Sequence, residues 1–436
     1  MIHYLPGMAR KWSIGERTRV RPVVLATALG LASACWGASP SLTVLDGIRA
    51  EIGRISEALG KRPDDARALT ALAEAYLREA QVSGDGTGYG RAEAALRKVL
   101  ALDPRDYGAL ALQGWVEYGQ HRFREAEASA RKAIAIAPDA GRNYALLSDA
   151  LLELGRYDAA VDALQLMLDR QPGPAGYSRA AHMRFLHGDL DGALEMVETG
   201  LESSLSGGAR DVAAWLYTQA GEIHAARGDA TKARRSFEQA LGQVPGYFRA
   251  VGPLARLLAN QGESDHALEL LKPAIACFQE PGLLGTLEDI AEARRDAAAA
   301  RAAAEMLEVA AKLDLATTGR LNRTHAVLDL ERQRAVERAV TAAEAEYRER
   351  PDIYSADALA WARFRTGKLQ PAAKLSAEAC RLGTPDALLL YHRGAILERQ
   401  GKTAEGAAFL AEALRRGATL PPGVRAKEGL GAGSRR

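Results

Sequence analysis

The chain has 436 residues, 47% of them hydrophobic and 26% charged, with 3 cysteines and a formal net charge of +2. That apolar fraction excludes a disordered chain, so few cysteines exclude a disulfide framework or a four-cysteine zinc site, and no apolar run reaches the ~18 residues needed to span a bilayer. The charge is uneven: residues 1–34 carry +4, residues 421–436 carry +3 and the segment between them −5, so the body lacks the basic stripe of a nucleic-acid binder.

At the N-terminus, Arg10, Lys11, Arg17, Arg19 and Arg21 lead into residues 23–34, which are small and apolar. That stretch is too short to cross a membrane and suits the apolar core of a secretory signal, and Ala32-Ser33-Ala34 offers an A-x-A cleavage site. Residues 1–34 are therefore read as a signal peptide and the mature protein as extracytoplasmic, in the periplasm or cell envelope. Cys35 follows directly, and residues 31–35 resemble a bacterial lipobox, in which the cysteine becomes the lipidated first residue. The match departs at Ala32, where that pattern favours leucine, so a lipid on Cys35 and simple release both stay open. Such a lipid would be the chain's one link to a membrane.

Residues 35–63 are read as a linker and capping helix, because Leu42, Leu45, Ile48, Ile52, Ile55 and Leu59 recur at intervals of three and four and share one helical face. From there to residue 420 the chain repeats. Pro104, Pro138 and Pro172 are 34 apart, as are Pro351 and Pro385; Pro63 and Pro104 are 41 apart, with the seven-residue glycine-rich insert 84–90, read as a lengthened turn, making up the excess. Each period reads helix, tight turn, helix. One unit has Leu110, Gly114, the turn Gln120-His121-Arg122, then Ala126, Ala130 and Ala133; the next has Tyr144, Leu147, Leu151, Gly155, Tyr157, Ala160 and Leu164. A third has Tyr217, Gly221, Gly228, Ala233 and Phe237. Small residues at Gly114, Ala126, Gly221 and Ala233 let paired helices approach, and each proline stops a second helix.

These positions resemble the tetratricopeptide-repeat family. Weaker copies lie at 177–201, 251–275, 284–307 and 325–347, so the resemblance covers residues 64–418 as about ten repeats. It implies an all-α tetratricopeptide-repeat solenoid, a right-handed superhelix of helix-turn-helix units, expected to be elongated because each unit packs only on its neighbours. Residues 421–436 are expected to be a disordered basic tail.

No catalytic motif in the sequence is complete. Gly401-Lys402-Thr403 has only the end of a phosphate-binding loop, with Ile396 where its first glycine belongs, and Gly262-Glu263-Ser264-Asp265-His266 has His266 where a nucleophile elbow needs glycine. The insert supplies a single carboxylate, Asp85, too few for calcium. The eight histidines are scattered, His182 and His187 fall on different helical faces, and Cys277 and Cys380 read as core. No cofactor or metal is implied, and the chain is read as a non-enzyme.

The resemblance leaves the concave face as the working surface, where proteins of this family dock peptides and partner proteins. Carried over by position, that stripe includes Glu74, Trp115, Arg142, Asp149, Trp215, Thr218, Glu222, Arg249, Arg256, Tyr354, Asp357, Trp361 and Tyr391. Aromatics and arginines are common interface anchors, which favours an exported scaffold that binds a protein or peptide, with a role in envelope assembly, and no nucleic acid. The alternative is an enzyme or an enzyme's regulatory subunit with a site built in the groove. The carboxylate clamp of the family's chaperone-binding members is missing: Gly108, Ala111, Leu112 and Trp115 occupy its positions. Nothing in the sequence fixes the oligomeric state.

Overall fold

The computed structural model describes residues 40–83, 86–277 and 279–427. Residues 1–34, where a signal peptide is expected, Cys35, residues 84–85 of the insert and residues 428–436 of the tail lie outside the described residues.

Helix α1 (Pro40–Lys61) caps the stack with Ile48 buried against it. Ten helix pairs follow: α2 (Ala66–Ser83) with α3 (Thr87–Leu102), α4 (Tyr107–Gly119) with α5 (Phe123–Ile136), α6 (Gly141–Glu153) with α7 (Tyr157–Arg170), α8 (Pro174–Leu186) with α9 (Leu190–Ser206), and α10 (Arg210–Ala226) with α11 (Ala230–Gln243). The second half holds α12 (Phe248–Asn260) with α13 (Ser264–Cys277), α14 (Pro281–Ala293) with α15 (Ala297–Thr318), α16 (Arg323–Glu331) with α17 (Val336–Glu349), α18 (Ile353–Arg365) with α19 (Leu369–Ala379), and α20 (Ala387–Arg399) with α21 (Thr403–Arg416). A 3-10 turn (Gly417–Thr419) and α22 (Pro422–Lys427) close the chain. The architecture is an all-α tetratricopeptide-repeat solenoid.

Local chemistry sets the boundaries. Aspartates cap many helices: Asp106 accepts from the Ala109 N–H at 2.7 Å, Asp189 from Gly192 at 2.9 Å and Asp352 from Ser355 at 2.6 Å. Turns within pairs pass through the left-handed region at Gly155 (φ 68°), Gly188 (φ 76°) and Gly228 (φ 81°). Three pairs lack that glycine, yet His121, Arg295 and Gln333 adopt the same conformation at φ 59°, 59° and 54°. The pairs close on small residues as the sequence suggests: a Cβ on Gly221 would enter the Phe237 ring, and one on Gly114 would overlap Leu146.

Two expectations are corrected. Half of the glycine-rich insert is helix, because α3 begins at Thr87 and Gly88 abuts the Tyr76 carbonyl, where a Cβ would lie 2.9 Å away. The start of the tail is ordered too: residues 421–427 fold back onto the repeats, with Leu420 and Val424 buried.

The larger departure is in overall shape. The expected elongated solenoid coils until its end meets its middle. The turns inside the third, fourth and fifth pairs stand against connections of the last three. The Tyr157 hydroxyl accepts the Ile353 N–H at 3.0 Å, Thr384 Oγ1 donates to the Leu186 carbonyl at 2.6 Å, and Arg416 donates to the Ala226 carbonyl. Arg350 bridges to Glu153 at 3.2 Å, and Asn260 donates to the carbonyls of Ala418 (3.0 Å) and Leu420 (2.9 Å). Beneath these polar contacts lies a shared apolar cluster of Tyr157, Leu186, Ile353, Ala356, Ala379 and Leu389. Burying a large apolar side chain contributes about 1.5–3 kcal/mol, so this seam is held by packing as much as by hydrogen bonds.

Candidate functional site

Because the coil closes, its concave face becomes the wall of a central lumen with a volume of about 1310 Å³. The wall is built from the first helix of most pairs, each presenting residues three and four apart: Trp215, Gln219 and Glu222 from α10, for example, and Asp149, Leu152 and Glu153 from α6. Nine carboxylates and six arginines line it.

Most of these charges are spoken for. Arg179 donates to both oxygens of Asp149 at 2.8 and 2.7 Å, a bidentate pair between α6 and α8. Arg332 reaches Asp289 at 2.6 Å and Glu288 at 2.9 Å. A relay ties α8 to α10: Trp215 Nε1 donates to Ser178 Oγ at 2.7 Å, which donates to Gln219 Oε1 at 2.9 Å. Behind the wall, His392 is fully buried between Asp357 (2.8 Å) and Glu331 (3.2 Å). Burial alone would lower its pKa, but the two carboxylates overcome that and hold the imidazole up at about 9.

Glu222 is different. It keeps contact with water in the lumen while protein surrounds it, and among the described residues no donor reaches its carboxylate. The low-polarity surroundings push its pKa up to about 7, with Arg256 and Arg249 pulling down and Asp386 pushing up. His182, also in the wall, is held below the usual histidine range by burial, which Asp149 only partly offsets.

The structure brings six residues of the sequence-derived stripe to the lumen: Asp149, Trp215, Glu222, Arg256, Tyr354 and Asp357. Arg249 stands over the Trp215 ring at 5.4 Å, and Arg142 over the Tyr107 ring at 5.1 Å; both are exposed outside the wall. Glu74 is half-buried on α2, and Trp115 wedges between two repeat cores. Thr218, Trp361 and Tyr391 do not reach a groove surface. Thr218 donates to the Ala214 carbonyl one turn back, and Trp361 is 2% exposed, stacked on His392 at 4.0 Å. Tyr391 packs tilted against Trp361 with centroids 6.1 Å apart. Sequence reading missed Arg179, His182, Asp289 and Arg332, all in the wall. Arg179, His182 and Asp289 sit on the first helices of weak copies and Arg332 just past one, where the stripe was not carried over; the arginines facing carboxylates were the available signal.

Cys380 is half-buried, and burial followed by the Asp357 charge pushes its thiol up to about 12, consistent with a packing role. Among the described residues no group of three His, Cys, Asp or Glu side chains could hold a metal ion, and no helix is long and apolar enough to cross a membrane.

Two tetratricopeptide-repeat family profiles match the chain, one over residues 117–183 and 224–287 and the other over 77–141. No curated protein matches. Among solved structures, the human IFIT1 dimer with m7Gppp-AAAA is similar at 17% identity and a TM-score of 0.44, covering 85% of this chain and 78% of that one. TTC0263, a TPR protein of Thermus thermophilus, is 21% identical with a TM-score of 0.34 over 37% of this chain and 86% of its own. YrrB, a TPR protein with an unusual peptide-binding site, is 21% identical with a TM-score of 0.30 over 45% of this chain and 95% of its own. At such identities nothing about their ligands passes to this chain. Tandem profile matches over successive helix pairs, each closed on small residues and turned at a left-handed residue, identify residues 77–183 and 224–287 as tetratricopeptide repeats within the all-α solenoid.

Proposed function

We propose that this protein is a non-enzymatic interaction scaffold, exported from the cytoplasm, that holds a peptide segment of a partner protein in its central lumen, with a role in cell-envelope assembly. The observation that carries the reading is the lumen. At about 1310 Å³ it exceeds the roughly 300–1,000 Å³ of small-ligand pockets, and it is lined by Trp215, Tyr354 and rigidly paired charges. An excess of carboxylates over arginines repels a phosphate backbone, so a protein partner is favoured over a nucleic acid. Export rests on the basic and apolar run in residues 1–34, with lipid attachment at Cys35 or simple cleavage as its two outcomes.

Site-specific photo-crosslinking tests the lumen reading. A photoreactive residue at Leu388, in the wall, should capture one partner in cells, while the same residue at Lys132, on the outer surface, should not. Equal capture from both positions sinks the reading. Mass spectrometry of the mature N-terminus separates lipidation, cleavage and retention.

One observation favours the alternative of an enzyme: Glu222 titrates near neutrality, as a general base does. Turnover abolished by Glu222→Gln would establish it.

A further inference from the structure

Residues 417–427 belong to no helix pair. From the end of α21 they turn back through the 3-10 turn and α22 as a strap along the lumen face of α12 and α14. Thr419 to Val424 line the lumen there beside Pro253, Arg256 and Asp289. Two side chains of α12 hold the strap by its backbone. Asn260 Nδ2 donates to the carbonyls of Ala418 at 3.0 Å and Leu420 at 2.9 Å, and Arg256 Nε donates to that of Thr419, between them, at 2.8 Å. Three consecutive carbonyls are thus taken by two residues one helical turn apart, and none of these bonds depends on which side chain the strap carries.

Side chains supply the selectivity. Leu420 is buried, and Val424, four residues on, is buried in the apolar cluster that holds Leu330 and Trp361. The strap also brings Arg425 and Lys427 to a wall where carboxylates outnumber arginines. Main-chain bonds for affinity and sockets for spaced side chains are how proteins grip a peptide. Little else keeps the strap in its shape: α22 has only six residues, too few to be a stable helix unaided.

We propose that the α12–α14 face of the lumen is a binding site for a peptide of a partner protein with two apolar side chains four residues apart and a basic residue beside them, and that residues 417–427 occupy it in cis until that peptide displaces them. The inference rests on the lumen reading and names the chemistry of the occupant and the segment that guards its place. Tethered directly to α21, the strap competes at an effective concentration of about millimolar, so the unaltered chain should bind weakly and a loosened one well.

Fluorescence anisotropy on the full chain tests this with a labelled peptide of residues 416–427. Gly423 offers a mild release, because a Cβ there would lie 2.6 Å from Asp289 Oδ1, and Gly423→Asp sets a second carboxylate against the first. The peptide should bind Gly423→Asp about tenfold or more tighter than the unaltered chain, and adding Asn260→Ala should weaken that binding about tenfold. The same peptide carrying Leu420→Asp should not bind. Hydrogen exchange gives a second readout on the unaltered chain: millimolar peptide should speed exchange at Leu420, Val424 and Arg425 and leave α21 unchanged. No binding to a Gly423→Asp variant that circular dichroism shows to be folded overturns the site and makes the strap a fixed clasp. Equal binding to both chains, unmoved by Asn260→Ala, overturns it too. If the variant is unfolded, unchanged exchange in the unaltered chain does the same. Dimers of the unaltered chain that the peptide dissolves would assign the site to the strap of a second copy and overturn a separate partner. In each of these cases capture from Leu388 still judges the lumen reading by itself.

Discussion

The imidazole of His392 donates from Nδ1 to the carboxylate of Asp357 across 2.8 Å, at a place in the core where the ring has no exposed surface. Its other nitrogen meets Glu331, so a single buried cation lies between two carboxylates that would otherwise repel each other.

That arrangement makes stability pH-dependent. The folded-state pKa of His392, about 9, lies above its ordinary value of 6.5, so the folded state holds a proton that the unfolded chain releases. The stabilisation is complete below pH 6.5 and is lost as pH rises through about 9. Thermal melts should show Tm falling between these values, with a shallower fall in His392→Gln. At neutral pH, His392→Leu should cost about 3–5 kcal/mol in denaturant unfolding, because it leaves Asp357 buried without its counter-ion.

Glu222 gives a contrasting case. Its folded pKa of about 7 stands above the ordinary 4.5, so ionising it opposes folding, and stability is lost as pH rises through about 7. Glu222→Gln should raise Tm at a pH above 7 and leave it unchanged near 4.5.

The seam can be tested by adding single methyl groups. A Cβ on Gly188 would lie 2.9 Å from the Gly383 carbonyl oxygen, and one on Gly228 would lie 2.8 Å from that of Arg415. Gly367, at φ 77°, has nothing within 4 Å of the same position. Alanine at any of the three costs about 1–2 kcal/mol for its left-handed backbone. Only the first two should also push the halves apart, so small-angle scattering should show a larger radius of gyration for Gly188→Ala and Gly228→Ala and none for Gly367→Ala.

Arg295 offers the reverse change. It is exposed and holds φ 59° where other pairs have glycine. Arg295→Gly should stabilise by about 0.5–1 kcal/mol once the extra freedom of glycine in the unfolded chain is subtracted, as read from urea unfolding.

The helix pairs were legible because their cause is local. A proline every 34 residues and small residues at fixed offsets mark each pair, and α4 to α7 fall where Pro104, Pro138 and Pro172 put them. The closure was not legible. Tyr157 and Ile353 are 196 residues apart and Thr384 and Leu186 are 198 apart, and their meeting depends on small rotations summed over about six pairs. Positional analogy also tells which way a side chain points but not what covers it. Trp361 and Tyr391 were expected on the groove surface, yet both are buried, with the His392 ring packed against them. Asp149, Trp215 and Glu222 lie at the lumen surface.

The bond from Ile353 to Tyr157 also changes how the chain should come apart. An open array of repeats frays from its ends, shedding one unit after another, since each is answerable only to the next. Here the last pairs are fastened to the third, fourth and fifth, so their amide protons should exchange with solvent together with those of the middle. Such distant partners must find one another late and slowly, after a costly loop closure. The molecule thereby trades the piecemeal unravelling of a string for the shared fate of a hoop.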